Sequence, residues 1–254
     1  MDPKLQAFQR LLTIMDELRE KCPWDRKQTL LSLRKLTIEE TYELADELLK
    51  EDLPGIKEEV GDLLLHMVFY AKIASEQGAW NIGDALNAVC DKLVERHPHI
   101  YGDVIADDAE AVKRNWEKIK LATGKGKKKT VLSGVPTALP AMVKALRMQE
   151  KTAQFGFDWD NADQVWDKVN EEIQEFREAT SERHREEEFG DLLFSLINYA
   201  RWKGIDPEAA LERTNLKFRQ RFESVEQAAG EGGLAEMPLA EMEALWEKAK
   251  SNGN

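Results

Sequence analysis

The residues of this chain whose types and spacing suit chemistry are carboxylates. Glu40 and Glu43 stand three apart, with Glu39 beside them, and after a spacer of fifteen residues come Glu59 and Asp62. The pattern recurs as Glu172 and Glu175, with Glu171, followed after twelve residues by Glu188 and Asp191. In a helix, neighbours at i, i+3 share a face, and a like-charged pair there is mildly repulsive; four converging acids repel far more. A hard divalent cation, which accepts oxygen ligands, offsets that repulsion. Mg²⁺ suits this set best, because it keeps several waters and commonly joins a few carboxylates to phosphates.

A single Glu-Glu-x-x-Glu string reads more simply as a solvated helical face. Three features count against that here. The acids Glu59 and Asp62 run straight into LLLHMVFYA, and Glu188 and Asp191 into LLFSLINYA, so they open the most apolar helices. Gly61 and Gly190 fall mid-helix at a cost of about 1 kcal/mol relative to alanine, which predicts close approach of another backbone or a ligand. Both sets also persist while many residues around them change. A di-iron or di-manganese bundle would need Glu-x-x-His on two helices. None of the four histidines, His66, His97, His99 and His184, stands three residues after a glutamate. Zinc is disfavoured in the same way, since no His/Cys cluster exists.

The elements that must position these acids come in two copies. TIEETYEL (37–44) returns as VNEEIQEF (169–176), EEVGDLLLHM (58–67) as EEFGDLLFSL (187–196), and Trp24-Asp25 as Trp159-Asp160. WEKIK (116–120) returns as WEKAK (246–250), and Lys92-x-x-x-Arg96 as Lys217-x-x-x-Arg221. Recurrence in one order predicts a tandem duplication: a first domain over 1–122, a Gly/Lys-rich linker over 123–136 and a second domain over 137–254. The linker's GKGKKKT lacks the spacing and the preceding strand of a phosphate-binding loop. Leu5, Phe8, Leu11, Leu12, Met15 and Leu18 step by three and four, as do Ile38, Tyr42, Ala45 and Leu49. Asn81 and Asp206-Pro207 supply helix starts. No stretch alternates with period two, so the fold class is all-α, with four to five helices per copy.

Composition bounds the rest. The 254 residues carry 48 Asp and Glu against 36 Lys and Arg, a formal charge of −12, which disfavours binding to a nucleic-acid polymer. Apolar residues at 42% suffice for real cores, and 15 glycines with 8 prolines are few for a turn-rich β fold. No apolar run reaches the ~20 residues of a membrane span. The opening MDPKLQAFQR lacks secretory character, and the two cysteines, Cys22 and Cys90, form no pattern, so a cytoplasmic address is expected.

With these residues in place, the chain resembles the MazG family of the all-α nucleoside triphosphate pyrophosphatases. The family motif, Glu-x-x-Glu then Glu-x-x-Asp, is matched at Glu40, Glu43, Glu59 and Asp62, and at Glu172, Glu175, Glu188 and Asp191. LREKCPWDRKQTLLSLRKLTIEETYEL and RHPHIYGD are also family-like, and the likeness spans nearly the whole chain. The resemblance implies an intertwined homodimer, Mg²⁺ dependence, hydrolysis of nucleoside triphosphates to monophosphate and pyrophosphate, and clearance of noncanonical or surplus nucleotides. It further implies that basic residues on later helices meet the triphosphate and a late tryptophan meets the base or sugar. In the second copy these are Lys168, Lys217, Arg221 and Trp246; in the first, Lys92, Arg96 and Trp116. Leu36 stands where Lys168 has its counterpart, which tilts activity towards the second copy. There Glu172, Glu175, Glu188 and Asp191 are the expected metal ligands and catalytic acids, with Glu171 or Glu175 orienting the water or taking its proton. Trp24 and Trp159 are expected to be packing residues. A rival function, a helical regulator that binds a nucleotide or protein without turnover, has less need of four acids in both copies.

Overall fold

The computed structural model describes residues 2–102, 112, 119, 130–229 and 233–252. All regular structure among them is helical. The chain divides into two compact units, Met1–Thr123 and Gly124–Asn254. Five α-helices are described in each.

In the first unit α1 (Pro3–Lys21) starts where the Asp2 carboxylate accepts from the Lys4 amide and Pro3 presets the first turn; Arg19 and Lys21 close it against the macrodipole. A capping box between Thr29 and Ser32 starts α2 (Leu30–Lys50), and Glu51 ends it at φ 56°. Helix α3 (Leu53–Glu76) returns along α2. A second capping box, Asn81 with Asp84, opens α4 (Ile82–Arg96), and the short α5 (Pro98–Tyr101) follows. The core gathers Met15, Leu33, Val68, Phe69 and Ile73, with Phe8, Leu36 and Tyr70 against it. Of the residues whose helical stepping marked the apolar faces, Met15 is in this core and Phe8, Leu11 and Leu12 pack against it, whereas Leu5, Ile38 and Tyr42 are exposed. Arg19 ties this unit together: its guanidinium donates to both carboxylate oxygens of Glu76, at 3.1 and 2.6 Å, and to the carbonyls of Asp25 and Gln28.

The second unit comprises α6 (Ala141–Ala153), α7 (Ala162–Glu178), α8 (Glu182–Trp202), α9 (Pro207–Ala229) and α10 (Leu239–Asn252). Asn161 caps α7 by accepting from the Gln164 amide, and Ser181 caps α8 by accepting from the His184 amide. Helix α8 packs on both α7 and α6, while α9 pairs with α10. Val165, Val169, Ile197 and Val225 are buried. Residues 131–134, which composition assigns to the linker, form a 3₁₀ turn packed against α6. Residues 123–129 lie outside the described ones.

Both units leave large apolar side chains open. Phe189, Leu193, Phe194, Phe218 and Phe222 are exposed on α8 and α9. The expectation for the two mid-helix glycines is not met among the described residues: a Cβ added at Gly61 or Gly190 would find none of their atoms within 4 Å.

Candidate functional site

The antiparallel pairs α2–α3 and α7–α8 each bring their acids to one place. In the second unit, Glu172, Glu188 and Asp191 each offer an oxygen within 4.8 Å of the others'. Glu172 is only 5% exposed, because it lies on the face of α7 that also buries Val165 and Val169. Lys168, one turn earlier, donates to Glu172 at 2.7 Å and to Glu171 at 2.8 Å. These two bonds hold its ammonium charged, well above the ordinary lysine range. Glu175 stands outside this trio, and its carboxyl is pushed above the usual range by desolvation and then by the charge of Glu172, with Lys168 opposing. His184, one turn ahead of Glu188 on α8, contacts that carboxylate through Nε2 at 2.9 Å. The motif reading set His184 aside, although its i, i+4 spacing already places it beside Glu188.

In the first unit the trio is Glu40, Glu43 and Glu59, again within 4.8 Å. Asp62 stands outside but acts on it: the Glu40 and Glu59 carboxyls are both raised, by desolvation first and then by the surrounding acids, Asp62 included. Among the described residues no lysine or arginine pairs with these four acids. The Glu59 Oε2 atom is buried with no hydrogen-bond partner among the described residues. An orphaned carboxylate oxygen beside two more carboxylates fits a hard cation, and so does the second trio, whose charge Lys168 balances in part.

The second site opens into a cavity of about 650 Å³. Lys168, Glu172 and Asp191 line it, and its walls are otherwise largely apolar, with Met148, Phe157 and Phe194 among them. Trp159 is on this wall and 41% exposed, so it is not the packing residue expected of it. Neighbouring polar groups are held in place: Arg201 donates to Asp158 at 2.5 Å and to Asn198 at 3.0 Å, and the Trp202 indole donates to Asp158 at 3.1 Å. Gln149, also on the wall, donates through Nε2 to the Phe194 carbonyl at 2.8 Å. Asp158 and Arg201 lie 43 residues apart, and no spacing rule links them.

The remaining expected residues gather elsewhere. Arg221 on α9 lies 6.0 Å over the Trp246 ring, which packs 5.1 Å from Phe218, and Lys217 is exposed one turn before Arg221. None of the three lines the cavity. On α4, Lys92 is exposed and Arg96 half-buried; Trp116 lies outside the described residues.

An all-α chain with two carboxylate trios on paired helices, two acids of the second lining a largely apolar cavity, has the build of a helical hydrolase. Comparison with known proteins specifies which. A family model described as the MazG nucleotide pyrophosphohydrolase domain matches residues 28–101. A Thermotoga maritima protein named nucleoside triphosphate pyrophosphohydrolase/pyrophosphatase MazG is 44% identical over 248 residues, covering 96% of this chain and 95% of its own. An Escherichia coli nucleoside triphosphate pyrophosphohydrolase is 40% identical over 257 residues, covering 97% and 98%. The Bacillus subtilis protein YabN is 43% identical over 251 residues, 96% of this chain but 51% of the longer relative. The chain belongs to the MazG nucleoside triphosphate pyrophosphohydrolase family.

Proposed function

We propose that this protein hydrolyses nucleoside triphosphates to nucleoside monophosphate and pyrophosphate with Mg²⁺, and that the second unit carries the principal active site. The observation that supports this most is that Glu172, Asp191 and Lys168 line one cavity, with Glu188 in the same carboxylate trio. The acids would hold Mg²⁺, which when bound neutralises phosphate charge and lowers the pKa of water. The apolar walls are suited to the nucleoside, and Lys168 to the triphosphate. Water adds to the α-phosphorus, the bond to the bridging oxygen breaks, and pyrophosphate leaves with the electron pair. Glu175 is suited to take the water's proton, because its raised carboxyl is more basic than an ordinary glutamate. Glu171 is already engaged by Lys168.

Arg221, Lys217 and Trp246 would reach a triphosphate through assembly of a homodimer, for which the open apolar side chains of α8 and α9 speak. The biological role that fits is clearance of noncanonical or surplus nucleotides in the cytoplasm. No described helix is long and apolar enough to cross a membrane, and nothing in the acidic surface favours a nucleic-acid polymer. The test is to incubate the full chain with Mg²⁺ and a panel of nucleoside triphosphates and separate the products. Monophosphate plus pyrophosphate supports the reading; diphosphate plus phosphate, or no product, contradicts it.

A further inference from the structure

The cavity wall holds one polar atom that the reaction above does not use. Gln149 on α6 is 6% exposed and lines the cavity, and its Oε1 is buried with no partner among the described residues. The orientation of this amide is settled by chemistry. A backbone carbonyl can only accept, so the group facing the Phe194 carbonyl at 2.8 Å must be the NH₂, which leaves Oε1 as a fixed acceptor. Buried acceptors are almost always paired, and an unpaired one is unfavourable. The cavity lining includes donors such as Thr152, Ser195, Asn198 and Arg201, but none of them is hydrogen-bonded to this oxygen. Phe194 stands three residues after Asp191, about 5 Å along α8, so Gln149 is anchored one turn beyond the acids, where a nucleoside would extend.

We propose that Gln149 is a specificity-determining residue of the second unit: its Oε1 accepts a hydrogen bond from an N–H or O–H donor on the nucleoside half of the substrate. This rests on the reading of the cavity as a nucleoside triphosphate site. A site with a fixed acceptor rejects an analogue lacking the donor, because the acceptor then stays buried and unpaired. Ribose hydroxyls and base N–H groups both supply that chemistry, and substrate analogues separate them.

The experiment measures pyrophosphate release by the full-length wild type and Gln149→Met with ATP, 2′-deoxy-ATP, 3′-deoxy-ATP and N6,N6-dimethyl-ATP, and with UTP against N3-methyl-UTP. The expected result is that one class of analogue, sugar or base, loses about tenfold or more in kcat/KM with wild type, mainly through KM. That penalty falls below about threefold in Gln149→Met. Melting of the metal-free variant should stay level or rise, since an unpaired acceptor is removed. Wild type that treats every analogue like its parent overturns the proposal whether or not the variant folds, and so does a penalty that persists unchanged in Gln149→Met or Gln149→Leu. Wild type that releases no pyrophosphate from any of these nucleotides overturns the functional reading, and this proposal with it.

Discussion

Replacing Lys168 with methionine keeps most of the aliphatic stem and removes the charge. Glu172, 5% exposed, then loses the ammonium that donates to it at 2.7 Å, while Glu188 and Asp191 remain close by. Breaking a fully buried pair costs about 3–5 kcal/mol. The Lys168 side chain is 32% exposed and that of Glu171 55%, so solvent screening reduces the loss, and about 1–3 kcal/mol is the magnitude expected of a charge-assisted bond here. At roughly 2–4 °C per kcal/mol for a chain of this size, the metal-free variant should melt several degrees below wild type. Saturating Mg²⁺ should narrow that gap, because an ion among the same carboxylates neutralises Glu172 in place of the lysine. Turnover should fall as well: losing one charge-assisted contact to the triphosphate lowers kcat/KM by about ten- to a hundredfold. Paired melting curves in EDTA and in Mg²⁺, with steady-state pyrophosphate release, measure both effects. A melting gap that is equal with and without metal, together with unchanged kcat/KM, would refute the reasoning and reduce Lys168 to a structural ion pair.

Asp191→Asn should abolish most hydrolysis while leaving metal-free stability level or higher, since it removes a ligand and a repelling charge at once; undiminished pyrophosphate release would argue against the assignment. Glu40, Glu59 and Glu175 have raised carboxyls, so their contribution to stability is present below the unfolded glutamate value and is lost as pH rises through their folded values. Bound metal relieves that loss, so the rise in melting temperature on adding Mg²⁺ should grow from pH 5 to pH 7; a rise that is flat or shrinks with pH would contradict it. Arg19→Met removes two bonds to Glu76 and two to backbone carbonyls and should destabilise the first unit by about 2–4 kcal/mol. Differential scanning calorimetry checks the size, and pyrophosphate release at a temperature where both proteins are folded should be unaffected.

How far the sequence anticipates this arrangement depends on the range of the interaction. The steps of Leu5 to Leu18 and the helix starts at Asn81 and Asp206-Pro207 act within one or two turns, so helices and their starts were legible. The acids were legible too, because i, i+3 spacing on two adjacent helices places them on facing sides. Which acid of each quartet stands apart was not: Asp62 does so in one site and Glu175 in the other, a difference set by packing between helices that carry the same motif. The cavity was not legible either. It arises where α6, the turn at 131–134 and the Asp158–Trp159 segment close over α8, and its polar members, Gln149 and the Asp158–Arg201 pair, share no spacing. Trp159 misled, because a residue duplicated in both copies reads as core when its exposure depends on that packing. For Gly61 and Gly190 no close neighbour among the described residues supplies the expected reason.

The central claim is that hydrolysis resides mainly in the second trio of carboxylates. Steady-state pyrophosphate release at saturating Mg²⁺ by two double variants, Glu40→Gln with Glu43→Gln and Glu172→Gln with Glu175→Gln, tests it most directly, once each is seen to assemble as wild type does. The account predicts that the first retains a large part of wild-type activity and the second very little. Equal loss in both, or the reverse order, would contradict it.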